Sequence, residues 1–145
     1  MTFWHNQVML NVTGLRFNVK RIIRDGQEKA MDGKLTYFYM PVPDLKAARA
    51  FYRDQIGLDE TWREGEMTCA FALPGTTIQL MLNQASPDDP DRAGMVFTIP
   101  SVDSFYQAQH ATLDFTSEPH DIPGNGRWVG AKDGSGNGLY FADIE

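Results

Sequence analysis

Cysteine is almost absent from this chain. Cys69 is the only one in 145 residues, which excludes an intrachain disulfide and points to a reducing compartment. Long apolar runs are also missing, and none approaches the ~20 residues that a membrane-crossing helix needs. Basic residues are outnumbered: 13 lysines and arginines stand against 19 acids, for a formal net charge of -6. A nucleic-acid binder usually presents a basic face, so that class is set aside. The start of the chain carries Trp4 and His5 but no basic segment leading into an apolar run, so no secretory leader is expected. The expected location is the cytoplasm. Histidine is scarce too: His5, His110 and His120 lie in three unrelated contexts.

What the sequence does have is a strong strand-and-helix signal at KLTYFYMPVPDLKAARAFYRDQIGL, residues 34–58. Tyr37, Phe38, Tyr39 and Met40 suit a pleated sheet. Pro41 and Pro43 stop the strand, because proline supplies no ladder donor. Asp44 stands where a helix N-cap belongs. Leu45, Ala48, Phe51, Tyr52 and Ile56 recur at helical spacing and predict one buried stripe, with Phe51 and Tyr52 as helix-to-sheet core. Gly57 can take the left-handed conformation that ends a helix. Met31 stands as an alternative start ahead of this segment.

Before it, Val8, Leu10 and Val12 alternate, as do Leu15, Phe17 and Val19, with Thr13-Gly14 between them. That predicts a hairpin in an N-terminal extension, residues 1–33, with a further turn at Asp25-Gly26. After it, 59–63, 67–73 and 76–83 read as strands of an antiparallel meander. The acid- and proline-rich ASPDDPDRA, residues 85–93, reads as a solvated linker. The pattern then repeats. Gly94 to Ile99 is a strand stopped by Pro100, Ser101 or Asp103 caps a helix to about Ala111, and strands follow at 113–116, 127–132 and 139–144. Cys69 reads as an inert buried thiol, His110 as exposed, and His120 as a solvated loop histidine. The GNG and GSGNG stretches are turns and not phosphate loops, because no helix follows them.

A supersecondary unit repeated once implies two modules that cannot bury their faces alone. The expected fold class is α+β: two paired βαβββ modules forming a curved sheet around a cleft. The domain would span residues 34–145, with modules 34–84 and 94–145. Period-two counting puts Tyr37, Tyr39, Gln79, Met81, Val96, Thr98 and Tyr140 on the face opposite the helices. Trp62 and Trp128 fall near the same mouth. Packing is the simpler reading for both tryptophans, and for Tyr37 and Tyr140 packing and ligand contact stand level.

MPVPDLKAARAFYRDQIGL and DGSGNGLYFADI, with the linker and the repeated order, resemble the vicinal oxygen chelate superfamily, the group of glyoxalases, bleomycin resistance proteins and extradiol dioxygenases. The resemblance covers residues 34–144 and is specific for fold more than for activity. It implies a divalent metal held by histidines and glutamates at four inward positions, which fall here on Tyr37, Gln79, Gly94 and Tyr140. Two phenols, an amide and a glycine are not the donors such an ion needs. The resemblance with this departure implies no metal and no cofactor, and a homodimer. The expected partner is a small-molecule ligand, with no nucleic acid and no membrane.

The expected function is therefore metal-independent binding of a small, flat, apolar or cationic molecule. Antibiotic sequestration of the bleomycin-resistance kind is its most specific form. The expected ligand-binding residues are Tyr37, Tyr39, Trp62, Gln79, Met81, Thr98, Trp128 and Tyr140. The alternative is a glyoxalase-like lyase or isomerase with a relocated metal site, drawing on Glu60, Glu64, Glu66 or His120. A third reading gives the N-terminal extension and an exposed sheet edge to a protein partner.

Overall fold

A computed structural model describes residues 4–12, 15–24, 27–29, 31–122 and 126–144, the first three strands by backbone alone. The chain divides into two compact units, one up to Asp32 and one from Gly33. In the first, β1 (Trp4–Val12) runs antiparallel to β2 (Leu15–Arg24), which also pairs with β3 (Gln27–Lys29). Val8 pairs with Val19 and Leu10 with Phe17, so the alternation in the sequence is the register of the hairpin. The turn pairs Thr13-Gly14 and Asp25-Gly26 lie outside the described residues.

The second unit opens with β4 (Lys34–Val42) and α1 (Leu45–Ala50). The Asp44 carboxylate accepts from the Ala47 amide at 3.1 Å, which fixes where the helix starts. Gln84 braces the same point: its side chain accepts from the Leu45 amide at 2.8 Å and donates to the Pro43 carbonyl at 2.7 Å. The helix does not continue as a regular spiral to Gly57. Residues Phe51–Ile56 widen into a π-helical turn, closed by Gly57 at φ 84°. The wider turn rotates the end of the predicted stripe off the core. Leu45, Ala48 and Tyr52 pack inward, whereas Phe51 and Ile56 are exposed.

The meander follows as β5 (Glu60–Glu64), β6 (Thr68–Ala72) and β7 (Gln79–Gln84). The second module is β8 (Gly94–Thr98), α2 (Val102–Gln109), β9 (Asp114–Phe115), β10 (His120–Asp121), β11 (Arg127–Lys132) and β12 (Gly138–Ala142). Ser101, not Asp103, is the cap of α2, accepting from the Ser104 amide at 3.2 Å. β10 is an addition: its residues read from the sequence as loop. The loop residues Pro123 and Gly124 lie outside the described residues. Asp133 builds the glycine-rich turn before β12. One oxygen accepts from the Ser135 and Asn137 amides, the other from the Asn137 side chain, and these bonds hold its carboxyl below the usual range.

All nine strands of this unit form one open sheet, ordered β10-β11-β12-β8-β4-β7-β6-β5, with β9 also beside β11. The modules join in the middle through antiparallel β4 and β8, within one chain. In each module the last strand returns to lie parallel to the first, β7 beside β4 and β12 beside β8. One face of the sheet is covered twice. Phe71, Leu80 and Leu82 pack under the first helix, and Val129, Ala131 and Phe141 under the second. Each of these side chains larger than alanine contributes about 1.5–3 kcal/mol on burial. The other face is concave and carries a third cluster centred on Tyr39, Val96, Trp128 and Tyr140. Among the described residues no helix is long and apolar enough to cross a membrane.

Candidate functional site

The concave face of the sheet holds a cleft of about 670 Å³. Its floor is aromatic because alternate residues of three strands must point the same way. The ring of Tyr39 on β4 stands 5.4 Å from that of Trp128 on β11 and 4.8 Å from that of Tyr140 on β12. Tyr37 meets Trp62 of β5 edge to face, at 6.4 Å between centroids. Met67, Met81 of β7, Ile122 and Ile144 complete the apolar lining.

The polar lining comes from five places. Glu64 ends β5, Thr68 begins β6, Asn83 lies on β7, Asp89 and Asp91 lie in the linker, and His120 lies on β10. The Thr68 hydroxyl donates to Asn83 Oδ1 at 2.6 Å. The linker is fixed to the sheet by Tyr140, whose hydroxyl donates to the Arg92 carbonyl and accepts from the Arg92 amide at 2.9 Å. His120 is placed by Arg127, which bonds Asp121 at 2.8 Å, Asp103 at 2.8 Å and the Pro119 carbonyl at 3.0 Å. Asp143 ties that edge to α2, accepting from the Arg127 amide at 2.7 Å and the Val102 amide at 2.8 Å.

Burial shapes the electrostatics. It raises the Asp91 carboxyl above its ordinary range, reinforced by the neighbouring Asp89 charge. It also raises Tyr39 of the floor and Tyr140 beneath it, with Asp91 adding to each: Tyr140 is pushed up to about 12, and Tyr39 moves in the same direction. Both phenols are therefore neutral at physiological pH. Cys69 is a buried thiol raised by desolvation and plays no part in the cleft.

Of the expected binding residues, Tyr37, Tyr39, Trp62, Met81 and Trp128 line the cleft. Gln79, Thr98 and Tyr140 do not. Gln79 receives the Thr61 hydroxyl, Thr98 pairs with the Thr36 hydroxyl at 3.1 Å, and Tyr140 is 1 % exposed beneath the floor. Period-two counting found the right face but could not show which side chains on it are capped by neighbours. The same counting, carried two residues further, reaches Glu64 from Trp62 and Asn83 from Met81. Asp89 and Asp91 had no such signal. They read as a solvated connector, and the Tyr140 bond to Arg92 brings them to the cleft.

The four metal positions implied by the family do not assemble a donor set. Gln79, Tyr37, Val96 and Tyr140 form one row across the sheet, so Val96 takes the place that counting gives to Gly94. No residue of that row offers a carboxylate, imidazole or thiolate. Among the described residues, no three His, Cys, Asp or Glu side chains converge closely enough to hold a metal ion. Of the residues considered for a relocated site, Glu60 is held by Arg49 in a two-pronged pair at 2.5 and 2.9 Å, and Glu66 does not line the cleft. Glu64 and His120 do.

The sequence profile of the Glyoxalase/Bleomycin resistance protein/Dioxygenase superfamily matches residues 34–141. No curated protein sequence matches the chain significantly. Among solved structures, an NAD-dependent benzaldehyde dehydrogenase from Legionella pneumophila superposes with a TM-score of 0.61 at 13% identity, covering 75% of this chain and 98% of that one. A hypothetical protein from Bacillus halodurans gives 0.61 at 14% identity, covering 78% and 95%. Methylmalonyl-CoA epimerase from Mycobacterium tuberculosis gives 0.56 at 18% identity, covering 77% and 87%. Identities this low speak for fold alone. With its profile match, its two βαβββ modules and its concave cleft, the chain belongs to the glyoxalase, bleomycin resistance protein and dioxygenase superfamily.

Proposed function

We propose that the protein binds a small, flat, largely apolar molecule in this cleft without the metal centre that the family resemblance implies. The observation that carries the reading is the pairing of an aromatic-lined cleft of about 670 Å³ with a central row, Gln79, Tyr37, Val96 and Tyr140, that has no metal-donor chemistry. Sequestration of an antibiotic or another planar toxic compound in the cytoplasm, by a homodimer, is the most specific form of the proposal.

Thermal unfolding against a panel of planar aromatic compounds tests it. A ligand at 100 times its Kd adds about 2.7 kcal/mol, which moves the midpoint of a domain this size by several degrees. A shift confined to flat compounds is the expected result. Stoichiometric divalent metal in the purified protein, with an activity that EDTA abolishes, would overturn the reading.

A second reading rests on Glu64 and His120, which both line the cleft. They could serve proton transfer in a lyase or isomerase. Its test is turnover of carbonyl or thioester substrates with solvent deuterium uptake, abolished in both Glu64→Gln and His120→Gln.

A further inference from the structure

The linker end of the cleft holds a polar group with an unfilled valence. Tyr39 is 5 % exposed, its ring packs against Trp128 and Tyr140, and the side-chain hydrogen-bonding neighbour of its hydroxyl among the described residues is Asn83. A phenol oxygen has acceptor capacity beyond one such contact, and Tyr39 lines the cleft. Asn83 is shared with other groups: its Oδ1 takes the Thr68 hydroxyl at 2.6 Å, and its Nδ2 also donates to the Gln84 carbonyl at 3.3 Å. The charges that bear on the Tyr39 hydroxyl are Asp91 and Asp89.

The charge around this hydroxyl has one sign. Among the described residues, Glu64, Asp89 and Asp91 line the cleft, and no lysine or arginine does. His120 is the one imidazole among the described lining residues. Arg92, next in the linker, turns its guanidinium to the carbonyls of Asp89, Pro90 and Asp91 at 3.4, 3.2 and 3.1 Å. An anionic substrate entering here would meet three carboxylates, while a cation would be drawn in.

We propose that this corner is a subsite for the ammonium group of a planar amine. The nitrogen donates to the Asp91 carboxylate and to the Tyr39 oxygen, and the flat part of the ligand lies along Trp128, Tyr37 and Trp62. Asp89 adds field to the same point. The inference deepens the reading of the cleft as a flat-ligand site and rests on it. A charge-assisted bond to a half-buried carboxylate is stronger than a neutral one, and adjacent aromatic faces favour the same cation.

The test is a matched pair of probes on the full chain, 2-naphthylmethylamine and 2-naphthylmethanol, titrated calorimetrically at neutral pH. The rings are the same and only the ammonium differs. The amine is expected to bind about tenfold more tightly. Asp91→Asn and Tyr39→Phe should each collapse that ratio toward one, with alcohol binding as the check that the cleft is intact. Asp88→Asn, a linker acid outside the cleft, should leave the ratio unchanged. Equal affinities for the two probes in the wild type, or a ratio that survives Asp91→Asn, overturns the subsite while leaving the flat-ligand reading standing. Failure of both probes to bind overturns the flat-ligand reading itself, and the subsite with it.

Discussion

Tyr39 of the cleft floor and Tyr140 beneath it lie with ring centroids 4.8 Å apart, and their hydroxyls do different work. Tyr140 holds the Arg92 backbone by both its donor and its acceptor, so Tyr140→Phe leaves a part-buried amide and carbonyl without this partner. That should cost about 1–2 kcal/mol in urea denaturation. Tyr39 holds no backbone in this way; the neighbour of its hydroxyl is the Asn83 side chain, and Tyr39→Phe should cost less, about 0.5 kcal/mol. The contrast was not legible in the sequence. Alternation placed both residues on one face, but the partner of Tyr140 lies 48 positions away. Asp91 carries a pH prediction at the same scale. Burial and Asp89 raise its folded-state carboxyl above its unfolded value, so the folded protein binds the proton more tightly. Stability from this group therefore falls as pH rises from the ordinary aspartate range through the raised value. Asp91→Asn should abolish that decline, and the variant should melt no lower than wild type at neutral pH. Thermal midpoints measured across the acid range, wild type beside variant, check it.

The first helix shows what propensity and periodicity can and cannot reach. Its start was legible because Asp44 follows two prolines, and its end because Gly57 is free to take positive φ. The interior was not, since nothing local announces that Phe51–Ile56 widens into a π-helical turn. The consequence is measurable. Leu45 is 4 % exposed and sits in the core under the helix, so Leu45→Ala should cost about 2–5 kcal/mol. Phe51, on the same predicted stripe, is 41 % exposed, and Phe51→Ala should cost well under half as much, by about 1 kcal/mol. A continuous α-helical stripe would make the two losses comparable, and chemical denaturation of the pair decides between the geometries. The linker is the opposite case: its composition gave a connector, and only tertiary structure makes it a wall of the site.

At the scale of the whole unit, the cleft depends on how closely two glycines approach. Gly94 of β8 and Gly138 of β12 are register partners in the parallel ladder of the second module. A Cβ on Gly94 would lie 1.9 Å from the Gly138 carbonyl oxygen, and one on Gly138 would lie 2.5 Å from the Arg92 carbonyl and 2.8 Å from the Tyr140 hydroxyl. The contacts at Gly94 are backbone atoms, which cannot rotate aside as a side chain would. The same pair adjoins Tyr39 across the central β4–β8 ladder, where Gly94 and Tyr39 are partners. The join between modules, the seat of the linker and the floor of the cleft thus meet at one place. Repetition of the strand-helix-strands pattern disclosed that two modules would pair, but the glycines read as ordinary turn and strand residues, because backbone crowding between strands distant in sequence has no local signature. Gly94→Ala should therefore cost about 3 kcal/mol or more, at the upper end of overpacking losses. It should also loosen the Arg92 tie to Tyr140, so that the amine-over-alcohol preference falls with stability. Gly134→Ala, at a position with open space around it, is the control and should be near neutral. A Gly94→Ala protein as stable as wild type would show that the strands can part at this point, and that the linker is seated by the Tyr140 bond alone.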